Sequence, residues 1–186
     1  AMSTAHLCIV AYKKRRKIVY LELSYVSQDC EKIPEALGHA YGPLVKRLDI
    51  SYNSLKSLVG LETFSVVEEV VADNNQIEDG IHLPFNENLL SLSLNKNKLT
   101  NLDSLLEEIR VKCPNIQYLS LMANKLSPIM LENPCFDEAS YHDYRVKILT
   151  KLPTLCFLDS SPVSLEERLR SIELSENDDP SCLAVN

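Results

Sequence analysis

The sequence predicts an α/β solenoid, with a curved parallel sheet on its concave face and short helices and turns on its convex face. The first observation is one pattern of apolar residues and a late Asn, which occurs in VKRLDISYNSL, VEEVVADNNQI, LLSLSLNKNKL and IQYLSLMANKL. The second is the spacing, because these copies begin at Val45, Val67, Leu89 and Ile116, which places them 22, 22 and 27 residues apart. Repetition at such a period indicates stacked structural repeats.

The order apolar-x-x-apolar-x-apolar-x-x-Asn is typical of a leucine-rich repeat, in which each copy contributes a strand and a return segment. Alternate residues of a strand point to opposite faces, so two residues of each copy should fill a shared interior. The inward residues are Leu48 and Ile50, Val70 and Ala72, Leu92 and Leu94, and Leu119 and Leu121. The asparagines should form an internal ladder, because a side-chain amide can bond the backbone groups that the bend leaves unpaired. They are Asn53, Asn75, Asn97 and Asn124.

The repeats are predicted to occupy residues 18–130. Residues 1–17 are predicted to form an N-terminal cap that covers the open end of the first repeat. A weaker first copy, IVYLELSYVSQ, starts at Ile18 and has Val26 in place of the Asn. The basic run from Lys13 to Lys17 lies between two apolar β-like stretches and is interpreted as a hairpin turn. A localisation signal or a phosphoinositide-binding patch remains the alternative for this run.

Two return segments are long enough for helices. One is a helical turn from Pro34 to Leu37 that should end near Gly38, and the other is a full helix from Asn101 to Lys112. In the second segment Leu102, Leu105, Leu106 and Ile109 fall on one face, as expected of a helix that packs against the repeats.

The period ends after the fifth copy, and residues 131–174 are predicted to form a C-terminal cap. A helix over 144–151 and a partial strand over 155–158 should precede a last helix that runs to about Leu174, with Ser164 and Glu167 as its capping box. Residues 175–186 are acidic and contain a proline, so a solvated, disordered tail is expected. The alternative for this tail is a linear peptide motif of Asp178, Asp179, Leu183 and Val185.

Composition narrows the function classes. The net charge of −7 argues against nucleic acid as a partner, and no apolar run approaches the roughly 20 residues of a membrane span. Neither a phosphate-binding glycine loop nor a His-centred cluster occurs, so no enzyme activity, cofactor or metal is expected. The six cysteines show no zinc spacing and are interpreted as free thiols of a cytoplasmic protein, with Cys113 and Cys156 as packing residues.

The working surface should therefore be the outward positions of the sheet, and the protein is expected to be a monomer on its own. Equivalent positions of successive repeats form columns, one of which is predicted to read Tyr20, Arg47, Glu69, Ser91 and Tyr118. Tyrosine, arginine and methionine are enriched in protein interfaces. The predicted partner-binding residues are Tyr20, Arg47, Tyr52, Val71, Tyr118 and Met122.

The closing segment NPCFDEASYHDYRVKILTKLPTLCFLDSSPVSLEERLR resembles the cap of small intracellular leucine-rich-repeat proteins such as the spliceosomal A-prime protein. Together with the N-terminal stretch MSTAHLCIVAYKKRRKIVYLELSYVSQDCEKIPEALGHAYG, it makes the whole chain similar to a vertebrate family of such proteins in pigment cells. That resemblance implies a non-enzymatic effector of a GTP-bound, melanosome-directed Rab small GTPase, with a tail that binds a Retriever-type endosomal recycling complex. A constitutive scaffold subunit of a spliceosomal or ciliary complex, and a membrane-surface module, are the alternatives.

Overall fold

A computed structural model describes residues 7–14, 17–128 and 137–178. Within these residues one sheet has eight strands that lie side by side in chain order. The strands are β1 (Cys8–Lys14), β2 (Lys17–Ser24), β3 (Val45–Asp49), β4 (Glu69–Val71), β5 (Ser91–Ser93), β6 (Tyr118–Ser120), β7 (Phe157–Leu158) and β8 (Ser161–Pro162). Strands β2 to β7 are parallel, and the first and last pairs are antiparallel. This arrangement confirms the predicted solenoid.

The core lies on one face of this sheet, as the alternation of apolar residues predicts. All eight inward residues named from the pattern are buried, and each has 1% or less of its surface exposed. The return segments add a second layer, in which Leu58, Phe64 and Leu106 are also fully buried. We call the opposite face of the sheet the concave face.

The asparagine ladder is present and links each repeat to the one before it. Asn97 donates hydrogen bonds to the carbonyl oxygens of Leu94 (2.9 Å) and Ala72 (3.0 Å), and its Oδ1 accepts from the N–H of Ile77 (3.0 Å). Asn75 and Asn124 repeat this scheme one step along. Each amide thereby pairs buried backbone groups that would otherwise be unsatisfied.

The first repeat is aligned differently from the prediction. Glu22, and not Tyr20, pairs with Arg47 across β2 and β3, so β2 lies two residues away from the predicted alignment at this point. The ladder position of this repeat is therefore Gln28 rather than Val26. The backbone N–H of Gln28 donates to Asn53 Oδ1 (2.9 Å), and its side chain donates to Val26 O (2.7 Å).

A turn with a left-handed residue precedes every ladder position, Gln28 included. The residue before the ladder position has a φ between 52° and 58° in all five repeats. These residues are Ser27, Tyr52, Asn74, Lys96 and Ala123. The shared geometry supports the new alignment independently of the hydrogen bonds.

At the N-terminal end the first two strands pair antiparallel, as a hairpin requires, but Lys13, Lys14 and Lys17 of the basic run lie in these strands rather than in a turn. Strand β1 pairs antiparallel with β2 and leaves Lys14 opposite Lys17. Because β1 occupies the free edge of β2, the first parallel strand does not offer unpaired backbone groups to other chains.

Helix α1 (Glu35–Tyr41) is longer than predicted, because Gly38 lies inside it rather than at its end. A Cβ on Gly38 would lie 1.8 Å from Thr63 Oγ1, so glycine allows the helix to approach the neighbouring return segment, which contains a short 3-10 helix over Leu61–Thr63. The chain leaves α1 at Gly42, whose N–H donates to Gly38 O (2.8 Å). Helix α2 (Leu102–Lys112) confirms the second prediction, with Asn101 as its N-cap.

The C-terminal cap packs helix α3 (Glu138–Lys151) against helix α4 (Leu165–Asp178). Helix α3 begins six residues before the predicted start at 144, where the side chain of Asp137 caps it. Arg145 of α3 is buried and binds Glu167 of α4, and it also donates to Leu158 O (2.8 Å) and Pro162 O (3.1 Å). The predicted capping box is confirmed, since the Ser164 N–H donates to Glu167 Oε2 (2.7 Å) and the Glu167 N–H donates to Ser164 Oγ (3.2 Å).

Helix α4 runs to Asp178, which is past the predicted end near Leu174 and includes the first residues assigned to the tail. Of the proposed tail motif, Asp178 is the last residue of α4, and Asp179, Leu183 and Val185 lie outside the described residues. The cap exposes Cys156 rather than burying it, whereas Cys113 is buried as predicted. No helix in the described ranges is long and apolar enough to cross a membrane.

Candidate protein-binding face

The concave face presents its side chains in columns that the strand register fixes. In a parallel sheet, paired residues of neighbouring strands lie about 4.8 Å apart and point the same way. The first column reads Glu22, Arg47, Glu69, Ser91, Tyr118 and Phe157. The second column reads Ser24, Asp49, Val71, Ser93 and Ser120.

The N-terminal half of the first column is charged. Arg47 stands between the carboxylates of Glu22 and Glu69, and its guanidinium donates a hydrogen bond to Glu69. Burial alone would lower the pKa of Arg47, but the hydrogen bond and the nearby carboxylates raise it, so this half of the column carries two acids around one fixed cation. Since Arg47 is 42% exposed, a partner can still reach it.

The C-terminal half of the first column is aromatic. Tyr118 is half-buried and lies next to Phe157, which is 43% exposed although it is a large apolar residue. Val71 and Met122 are half-buried on the same side of the molecule. An exposed aromatic beside a tyrosine is the kind of anchor on which protein interfaces are built.

Between these halves, a polar network holds the ends of the strands. Ser93 Oγ (2.7 Å) and the Asn95 N–H (2.8 Å) donate to Asp73 Oδ1, while Ser120 Oγ (2.7 Å) and the Met122 N–H (2.8 Å) donate to Asn95 Oδ1. Asp73 and Asn95 are half-buried, and these hydrogen bonds tie them to neighbouring repeats. Their bonds fix the surface on which a partner would rest.

The six predicted contact residues do not all belong to one patch. Arg47, Val71 and Tyr118 lie on the strands of the concave face, and Met122 follows β6 on its rim. Tyr52 is 58% exposed, but it occupies a left-handed turn after β3 and therefore flanks the sheet. The side chain of Tyr20 lies outside the described residues, and the register gives its predicted place beside Arg47 to Glu22.

Phe157 and Glu22 are the face residues that the sequence prediction missed. For Phe157 a signal existed, because Leu155 and Leu158 reproduce the apolar-x-x-apolar spacing of the repeats and place Phe157 where Tyr118 stands in the previous copy. For Glu22 no such signal existed, since an alignment that differs by two residues keeps each side chain on the same face and leaves the apolar alternation unchanged.

The described residues also bear on metal binding. No group of three or more His, Cys, Asp or Glu side chains among them is placed to hold a metal ion. The ladder, the stacked parallel strands and the two caps define a leucine-rich-repeat protein, and such proteins are typically protein-interaction modules.

A solved structure has the same fold as this chain. The fold matches the crystal structure of a Drosophila melanogaster SNF/U2A' complex, with a TM-score of 0.65 and 20% sequence identity over 91% of both chains. No protein-family model matches the chain. The likeness in structure shows the fold alone, because the sequence identity is low.

The chain is similar to the human leucine-rich melanocyte differentiation-associated protein, with 41% identity over 126 residues. This match covers 66% of the chain and 64% of the human protein. An uncharacterized protein of Caenorhabditis elegans is 29% identical over 129 residues, which cover 69% of the chain and 25% of that protein. The chain thus spans less than two thirds of either relative, and the resemblance predicted from the N-terminal stretch and the cap is confirmed.

Proposed function

We propose that this protein is a non-enzymatic adaptor whose concave face binds a melanosome-directed Rab small GTPase in its GTP-bound form. The observation that carries the proposal is the aromatic pair of half-buried Tyr118 and exposed Phe157, which lies in an otherwise polar column that also contains the Arg47–Glu69 ion pair. A GTP-bound small GTPase offers ordered switch segments, and such a surface is complementary in chemistry to aromatic anchors with a charged border. The similarity to the human melanocyte protein supports the cellular setting.

The size of the face decides how far the contact must reach. Six parallel strands span about 24 Å across, and a strand of three residues is about 10 Å long. The strands alone therefore present a projected area of about 240 Å², whereas a stable interface buries about 800 Å² on each partner. The contact must extend over the turns that follow the strands, and this gives the exposed ring of Tyr52 a place at its border.

The test is binding of the purified protein to a Rab loaded with a non-hydrolysable GTP analogue or with GDP. We expect the GTP form to bind at least tenfold more tightly. Arg47→Glu and Tyr118→Ala should each weaken this binding about tenfold or more, because they remove central contacts. Phe157→Ala should do the same.

Matched controls are available on other surfaces. Arg110, like Arg47, is paired with a glutamate, but it lies on α2; Phe85 is as aromatic as Phe157 and is 66% exposed in a return segment. Arg110→Glu and Phe85→Ala should change the affinity less than about twofold. Equal binding of both nucleotide forms would favour a fixed scaffold subunit over an effector, and unchanged affinity in all three face variants would exclude the concave face.

The resemblance also leads us to propose that the segment beyond α4 engages a Retriever-type endosomal recycling complex. Asp178 is the last residue of α4, and the chain continues from there with further acidic and apolar residues. Recruitment through such partners would bring the protein to melanosome or endosome membranes.

A further inference from the structure

Helix α4 has two faces of opposite character. Its inner face is built into the cap, where Glu167 and Ser171 are buried and Glu167 binds Arg145. Its outer face exposes three large apolar side chains: Leu165 is 74% exposed, Leu169 is 54% exposed and Ile172 is 47% exposed. Their spacing of i, i+4 and i+7 places them in one stripe along the helix. Water-exposed leucines in a continuous stripe are unfavourable unless another surface covers them.

The border of this stripe is acidic. Glu166, Glu173 and Glu176 are exposed and lie on the outer side of α4, and Arg170 is paired with Glu173. Arg168 is turned away from the stripe, because it donates hydrogen bonds to Pro153 O (2.8 Å) and Leu155 O at the end of the repeats. The apolar stripe thus has a net negative border.

The acidic character continues at the start of the helix. A groove of about 320 Å³ lies between the N-terminal ends of α3 and α4, and Glu138, His142 and Glu166 are among its lining residues. Arg145 also lines the groove but is paired with Glu167, so a cationic side chain there would still meet the carboxylates of Glu138 and Glu166. The groove and the stripe meet at Glu166, which is adjacent to Leu165 in the chain.

We propose that the outer stripe of α4 is a docking site for a basic amphipathic helix of a partner protein. Apolar residues at i, i+4 and i+7 are the pattern by which one helix receives the apolar face of another. The acidic border selects lysine and arginine on the flanks of the incoming helix. This site uses none of the residues in the two columns of the concave face.

Charge argues against two other occupants. A second copy of this chain would bring the same glutamates against Glu166 and Glu176 and a net charge of −7 on each molecule. The chain's own segment after Asp178 is acidic at its start, so it would meet the same repulsion.

The test uses a defined probe, a fluorescent synthetic peptide of about 18 residues, or five helical turns. It carries leucines at i, i+3, i+4 and i+7 and lysines on the flanks. Two control peptides keep its composition but scatter the leucines over all faces, or replace the lysines by glutamates. Binding is measured by fluorescence anisotropy with the full chain, with the chain ending at Asp178, and with variants of α4.

We expect Leu169→Ser to weaken binding about tenfold, because one buried leucine side chain contributes about that factor. Leu165→Ser should also weaken binding. The double variant Glu166→Lys/Glu176→Lys should bind the peptide more weakly than the wild type, and this difference in affinity should shrink when salt is added. The control Phe85→Ser removes an equally exposed apolar residue elsewhere and should leave the affinity unchanged. All these residues are exposed, so unchanged thermal midpoints will show that the variants are folded.

Several results would overturn the proposal. Equal affinity of the wild type and both leucine variants would mean that the peptide binds by charge alone. Binding that appears only after removal of residues 179–186 would mean that the chain's own tail covers the stripe. A dimer in sedimentation experiments that is lost in Leu169→Ser would assign the stripe to a second copy of the chain.

Discussion

The asparagine ladder makes a quantitative prediction, because neighbouring ladder residues share a backbone acceptor. Leu94 O accepts hydrogen bonds from both Asn97 (2.9 Å) and Asn124 (2.8 Å). In the same way, Ala72 O is shared by Asn75 and Asn97. Loss of one asparagine of such a pair leaves the shared carbonyl oxygen with one donor, and loss of both asparagines leaves that oxygen with none.

The cost of a single substitution follows from this geometry. In Asn97→Ala the buried N–H of Ile77 loses its acceptor, which costs about 1–3 kcal/mol, and the missing amide leaves a small cavity that adds about 1 kcal/mol. We therefore expect Asn97→Ala to lower the free energy of unfolding by about 2–4 kcal/mol. Asn124→Ala should cost a similar amount through the N–H of Leu99.

The double variant Asn97→Ala/Asn124→Ala should cost more than the sum of the two, by about 1 kcal/mol or more, because Leu94 O is then buried without a partner. The matched control is Asn53→Ala/Asn124→Ala. These two asparagines share no acceptor and are separated by two repeats, so their effects should add within about 0.5 kcal/mol.

The assay is urea unfolding followed by circular dichroism, with sucrose in every sample so that the double variants remain folded. Equal coupling in the neighbouring and the separated pairs would refute the shared-acceptor reasoning and would assign the ladder energy to cooperativity of the whole solenoid. A cost below about 1 kcal/mol for Asn97→Ala would show that water replaces the amide.

Three further predictions concern the cap and the cysteines. Glu167→Leu leaves buried Arg145 without its counter-charge and should cost about 3–5 kcal/mol in urea unfolding, while Arg145→Met/Glu167→Leu should cost less than Glu167→Leu alone. Burial alone would raise the pKa of Glu167, but the hydrogen bonds from Arg145 and Ser164 lower it. The contribution of Glu167 to the free energy of unfolding is therefore present above its unfolded pKa of about 4.3 and is lost as the pH falls below that value. Glu167→Gln should reduce this loss of stability at acid pH. Burial raises the pKa of Cys113 to about 12, so iodoacetamide at pH 8 should modify exposed Cys156 and leave Cys113 unmodified in peptide mass spectra. Modification of Cys113 at the same rate as Cys156 would contradict its burial.

The repeats could be predicted from the sequence because one physical constraint acts on the same positions in every copy. An inward leucine such as Leu92 has no exposed surface, and a ladder residue such as Asn97 must pair buried backbone groups, so few residue types are tolerated at either place. The helix α1 was predicted too short for a related reason. Glycine commonly ends a helix, but at Gly38 it serves close packing against Thr63, and this contact is invisible in the local sequence.

The alignment of the first repeat could not be predicted, because the constraint on its ladder residue is weaker. The Oδ1 of Asn53 accepts the N–H groups of Gln28 and Cys30 from the preceding repeat, as Asn75 does for Leu55. Before Gln28 there is no further parallel repeat, since β1 is antiparallel, so its side chain has no such N–H to satisfy. A glutamine that only donates to Val26 O is then sufficient, and the asparagine that marks the other copies disappears.

On the concave face, too, burial restricts the residue types at the inward positions and leaves the outward positions unrestricted. Arg47, Val71 and Tyr118 lie in the columns in which the sequence placed them, whereas the predicted place of Tyr20 beside Arg47 belongs to Glu22. The separation of the face into a charged half and an aromatic half depends on Phe157, which the closing strand adds to the column after the asparagine repeats have ended. Because no internal constraint requires an exposed phenylalanine at that place, its presence argues for a partner at the C-terminal end of the sheet, and Phe157→Ala is the variant that should separate binding from folding most cleanly.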